Sequence, residues 1–150
     1  MTLNEFLVKA KCSTYATAGE NTERKLSDGS RELKYNEGKW RYRDRYFGFN
    51  PFIGQEVVWE NKKPIWAMNY NGKVLVSFPK AKVIYEFLKE AMRRVKEQRP
   101  FRGPLSYRRG DFIYKDRSIG NMNLFVGKEE ILFKNKKIYE LNYHGGIIEK

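Results

Sequence analysis

Apolar residues recur at helical spacing in two places and alternate with polar ones across most of the rest of the chain. Over 81–98, Ile84, Phe87, Leu88, Ala91 and Val95 form one stripe, bounded by Pro79 and Pro100. Lys82, Lys89, Arg93 and Lys96 fall on the opposite side, as on a solvated face. A shorter helix is expected over 3–11, followed by a polar linker over 19–30, the expected mobile segment. Beyond it the period changes to two. Trp40, Tyr42 and Tyr46 share one face of a strand and Lys39, Arg41, Arg43 and Arg45 the other, and Phe112 and Tyr114 behave alike. Further strands are expected over 56–60, 65–70, 128–133 and 137–143, with basic turns at Asn61-Lys62-Lys63 and Lys134-Asn135-Lys136. Short last strands are expected over 73–77 and 146–148.

The two halves resemble one another. Leu33, Tyr35, Gly38, Tyr42, Asp44, Arg45 and Gly48 recur as Leu105, Tyr107, Gly110, Tyr114, Asp116, Arg117 and Gly120 at an offset of 72. After one inserted residue the offset is 73, pairing Phe52, Gly54, Glu56, Lys63, Ile65, Asn69, Tyr70 and Gly72 with Phe125, Gly127, Glu129, Lys136, Ile138, Asn142, Tyr143 and Gly145. Glu5-Phe6-Leu7 and Ala10 likewise recur as Glu86-Phe87-Leu88 and Ala91. The expected fold is therefore α+β. Two units of one helix and three or four antiparallel strands, about 1–78 and 79–150, make a single domain over 1–150. Joining their sheets and laying both helices on one face buries the apolar sides most simply, and leaves a groove between the halves for a ligand.

Composition adds a compartment and a charge. Cys12 is the single cysteine, so no internal disulfide forms, and no apolar run reaches the roughly 20 residues that span a bilayer. A soluble cytoplasmic protein with no membrane partner is expected. The 30 Lys+Arg against 18 Asp+Glu give a formal net charge of +12, heavier in the second half. Such an excess attracts anions, nucleic acid among them, although charge networks of heat-adapted proteins give the same composition. The sequence sets no oligomeric state.

The chemistry-bearing candidates come from the repeat. Asp44-Arg45 and Asp116-Arg117 sit on the aromatic strands, each three residues before a glycine. By parity the aspartates share a face with their aromatic neighbours, and either bind partners there or cap the turn toward Gly48 or Gly120. Glu56 and Glu129 either meet as a metal-binding or acid–base pair or make structural ion pairs. Asn69-Tyr70 and Asn142-Tyr143 complete the paired set, and His144, the lone histidine, stands where the first copy has Asn71. Beside Gly145-Gly146 it reads either as a proton shuttle or as an imidazole exposed in a turn. No metal site and no cofactor is expected, since ligand clusters and phosphate-binding glycine loops are missing from the sequence.

The tracts Tyr42-Arg43-Asp44-Arg45-Tyr46-Phe47-Gly48, Phe52 to Trp59, Ile65 to Tyr70 and Tyr143-His144-Gly145-Gly146 resemble an uncharacterised prokaryotic family, the domain of unknown function numbered 5680. The opening Phe6 to Lys11 and Tyr15-Ala16 agree with it. Members also occur behind Xre-type helix-turn-helix segments, which implies a sensing or interaction role and brings no activity.

Three functions follow as expectations. The first is a non-catalytic module binding a small anionic or aromatic molecule between the repeats. The second is nucleic-acid binding through Arg93, Arg94, Arg99, Arg102, Arg108 and Arg109. The third is an enzyme using the carboxylates and His144, for which convergence of those groups in one pocket is required.

Overall fold

A computed structural model describes residues 1–16 and 23–149. Helix α1 (Leu3–Ser13) begins at a capping box: the Glu5 amide donates to the Thr2 hydroxyl and the Thr2 amide to the Glu5 carboxylate. Strands β1 (Arg24–Lys25), β2 (Arg31–Glu37), β3 (Trp40–Gly48), β4 (Phe52–Glu60) and β5 (Lys63–Val74) follow, then helix α2 (Ala81–Met92). Strands β6 (Ser106–Arg109), β7 (Phe112–Asn121), β8 (Leu124–Phe133) and β9 (Lys136–Ile147) complete the chain. Two helices and one antiparallel sheet make the fold α+β, as the periodicities imply.

Among the described residues the strands form one sheet in the order β1-β2-β3-β4-β5-β9-β8-β7-β6. The expected basic turns are two-residue hairpins with left-handed backbone at Asn61 and Lys62 and at Lys134 and Asn135, the conformation that matches the strand twist. Beside each turn the pairing shifts register, at Val58/Trp59 and at Ile131/Leu132. The sheet closes in the middle through β5 and β9. There Tyr70 lies opposite Tyr143, Asn69 opposite His144 and Asn71 opposite Asn142.

Alternate strand residues and the two helical stripes share one buried cluster. Phe6 packs on Tyr35 and Trp40, while Phe87 packs on Tyr107 and Phe112. Trp66, fully buried on β5, stacks on Phe125 of β8 and so ties the middle of the sheet together. No helix among the described residues is long and apolar enough to cross a membrane.

Three expectations change. The segments over 73–77 and 146–148 are not separate strands, because β5 and β9 run on through Gly72 and Gly145-Gly146. The second helix stops at Met92 rather than at 98, and residues 93–105 turn inward to bury Val95, Phe101 and Arg102. The linker over 19–30 lies partly outside the described residues. Its described part, from 23, holds β1 and a turn in which Asp28 accepts from the Ser30 amide and hydroxyl.

Glycine at 127 is required by packing: a Cβ there would lie 2.0 Å from Cζ of Tyr143, whose ring is held by hydrogen bonds to Asp116 and Arg99. Gly127→Ala is expected to cost about 1–3 kcal/mol, read from the urea midpoint at unchanged slope.

Candidate functional site

The site grows from a register. On β3 and β4 Asp44 lies directly opposite Glu56, and on β7 and β8 Asp116 lies directly opposite Glu129. Strand alternation turns all four carboxyls toward the helices, and all are buried. Like charges so placed repel, and an apolar setting amplifies the cost. Each carboxyl therefore has dedicated partners.

Glu129 holds the Arg102 guanidinium in a two-pronged pair, Nε at 3.1 Å and Nη2 at 2.9 Å, and accepts from the hydroxyls of Tyr114 (2.5 Å) and Tyr139 (2.8 Å). Asp116 accepts from the Tyr143 hydroxyl at 2.8 Å and pairs with Arg99 Nη1 at 3.0 Å, while Arg99 Nη2 donates to the same hydroxyl at 3.1 Å. Glu56 pairs with the buried Lys11, whose ammonium also donates to the Phe101 carbonyl at 2.8 Å. Asp44 accepts from the Tyr70 hydroxyl at 2.5 Å. Among the described residues the second carboxyl pair thus has two cations, Arg99 and Arg102, and the first has one, Lys11.

The titration behaviour follows. Burial, then the charge of Glu56, pushes Asp44 up to about 7, while burial and the charge of Glu129 push Asp116 up to about 6, with Arg99 opposing. Burial lowers Lys11, with Glu56 opposing, and raises the Tyr70 and Tyr143 phenols well above the usual range.

Asp44 is also the carboxyl that faces a cavity. A space of about 410 Å³ opens on the helix side, within the range of small-molecule pockets. Asp44, Tyr70 and Arg102 line it together with aromatic walls from Tyr15, Tyr46, Phe49, Phe52 and Tyr85. Lys82 and Lys89 of α2, Arg31 and the acidic Glu23 and Glu86 add charge to its lining. The Arg102 guanidinium lies 5.5 Å from the Tyr70 ring and 5.8 Å from the Tyr15 ring, so one side chain joins Glu129 to the cavity.

The candidates read from the sequence separate into three places. Asp44 and Tyr70 reach the cavity, whereas Glu56, Asp116 and Glu129 are interior ion-pair partners. Neither aspartate caps a turn, because its side chain is held by a tyrosine from the central strands. Glu56 and Glu129 do not meet: three strand spacings separate β4 from β8, roughly 14 Å at about 4.8 Å each. Arg45, Asn69, Asn142 and His144 line an open trough of about 760 Å³ on the other face, and Arg117 is exposed. Arg45 pairs there with Glu32 at 2.9 Å. His144 lies in β9 rather than in a turn, its Nε2 3.1 Å from Asn69 Nδ2. Among the described residues no three His, Cys, Asp or Glu side chains gather as a metal site.

The basic cluster of the second half is spent mostly on internal contacts. Arg99 and Arg102 hold Asp116 and Glu129, Arg93 donates to the Ala16 carbonyl, and Arg109 pairs with Glu90. Arg94 donates to the Glu90 carbonyl and stacks on Tyr107, with its guanidinium 3.9 Å from the ring, and Arg108 is exposed on β6.

Lys11, Tyr15, Tyr46 and Tyr85 are not among the site candidates that the sequence offers. For Lys11 a signal exists: it continues the buried face of Phe6, Leu7 and Ala10, where a lysine demands an anion.

Two outcomes test this network. Arg102→Met leaves the Glu129 carboxylate buried beside two phenols without its cation, and chemical denaturation is expected to show a loss of about 3–5 kcal/mol. The raised Asp44 value means that the folded protein binds a proton more tightly than the unfolded chain. Its stabilising share is therefore complete below its ordinary value of 3.8 and is lost as pH rises through about 7. The stability of the wild type relative to Asp44→Asn should fall steadily across that window, and a flat difference would contradict the assignment.

The defining pattern of the family described as Domain of unknown function (DUF5680) matches residues 44–148, most of the chain and both carboxyl pairs. No curated protein matches, and no solved structure matches. The chain belongs to the DUF5680 family.

Proposed function

We propose that this chain is a non-catalytic binding or sensing module that takes a small aromatic molecule bearing an acidic group into the cavity above Asp44. The carrying observation is a buried carboxyl at an aromatic-walled cavity whose lining also holds Lys82, Lys89 and Arg31. Aromatic walls bury a flat ligand, and the lysines suit its anionic end. The two halves are read as copies of one unit. What supports this is the matching order of β2-β3-β4-β5 and β6-β7-β8-β9 about the β5–β9 seam, and the placing of Tyr70 opposite its counterpart Tyr143. The helices then cover one sheet face, and the cavity lies on that face at the junction of the copies. The resemblance to regulator-linked relatives agrees with a sensing role.

A thermal-shift screen of small aromatic acids and nitrogen heterocycles tests the reading. A ligand at about 100 times its Kd is expected to raise the melting temperature by roughly 5–10 °C, and Tyr85→Ala to abolish the shift. Shifts unaffected by Tyr85→Ala would place binding elsewhere.

A further inference from the structure

We infer that the inner end of the cavity is a receptor for a planar N–C–N cation, an amidine or guanidine head, gripped by Asp44 and Tyr70 as Asp116 and Tyr143 grip Arg99. This rests on the cavity being the binding site, and it names the end of the ligand that points inward.

The molecule contains the template. At the second carboxyl pair a guanidinium fork spans the Asp116 carboxylate, with Nη1 at 3.0 Å, and the Tyr143 hydroxyl, with Nη2 at 3.1 Å, while that hydroxyl donates to Asp116. At the first pair the acceptor half of this arrangement is present. Tyr70 donates to Asp44 at 2.5 Å, leaving its oxygen free to accept, and the aspartate again opposes a glutamate across the ladder. Arg99 belongs to the stretch between α2 and β6. The matching stretch between α1 and β2, residues 14–30, carries Arg24 and Lys25 as its only lysine or arginine residues, and both are exposed on β1. Lys11 and Arg102 are committed to Glu56 and Glu129, Arg31 reaches Glu23, and Lys82 and Lys89 stand on α2 at the cavity lining. Asp44 is 2% exposed and still lines the cavity, which gives a cation from outside a route to complete the arrangement.

Charge-assisted pairing with a fork is geometrically selective. On binding, the carboxyl loses its proton to the buffer and the cation takes its place, so affinity rises with pH until the aspartate is ionised. A ligand with an amidine-like edge inward and an acidic group outward would also satisfy the lysines of α2.

Benzamidine, benzamide and benzoate form a near-isosteric probe series, titrated calorimetrically against the wild type and the Asp44→Asn and Tyr85→Ala variants. Benzamidine is expected to bind about 10- to 100-fold tighter than the other two. It should bind more tightly at about pH 8 than at about pH 6, with proton release. Asp44→Asn should erase the preference, and Tyr85→Ala should weaken all three probes. Benzoate or benzamide binding equally or better, with sensitivity to Tyr85→Ala retained, would overturn this inference and leave the cavity as the site. Binding of no probe, alongside a silent thermal-shift screen, would overturn the binding site as well.

Discussion

Two carboxylates placed face to face across a β ladder, beneath helices and away from water, repel one another, and the fold answers that cost at two places. Removing an ionised group from water costs several kcal/mol unless a counter-charge and hydrogen bonds accompany it. Asp44 and Glu56, and Asp116 and Glu129, therefore dictate where the rest of the chain goes. The capping box sets the start of α1, and its register places Lys11 beside Glu56. Helix α2 ends early because the chain after it has to deliver Arg99 and Arg102 into the interior, where both find carboxylates. The tyrosines of β5, β7 and β9 serve less as filling than as donors to three of these groups, Asp44, Asp116 and Glu129.

The unequal supply of cations sets the two carboxyl pairs apart. Asp116 has its arginine, whereas Asp44 has a phenol and a cavity. On the other face of the sheet, Asn69, Asn142 and His144 sit in an open trough, where water screens whatever they contact. The helix side, walled by aromatic rings, is where a single proton or a single cation carries weight.

Local features were legible in the sequence. The period of two assigned Tyr42 and Asp44 to one face and Arg43 and Arg45 to the other, and the Asn-Lys and Lys-Asn pairs marked both two-residue hairpins. Features that depend on distant partners were not. Arg99 and Arg102 resemble any surface cluster until Asp116 and Glu129, remote in sequence, are brought beneath them. Tyr15, Tyr46 and Tyr85 are the same residue type as the tyrosines that fill the core, so nothing in their spacing separates cavity wall from packing. His144 was misplaced because Gly145-Gly146 reads as a turn. In the fold those glycines make room for neighbouring backbone, since a Cβ on either would lie within 2.2 Å of a carbonyl oxygen, of Ala67 or of Asn123.

The seam between β5 and β9 has a consequence of its own. Tyr70 and Tyr143 face each other across it, and each reaches away into a different carboxyl pair. Sliding either strand by one residue would swing its phenol to the opposite side of the sheet and take its hydrogen bond from a buried aspartate. The alignment of two edges is thereby checked by buried acids on both flanks, and neither half can settle its polar interior until the other is in step.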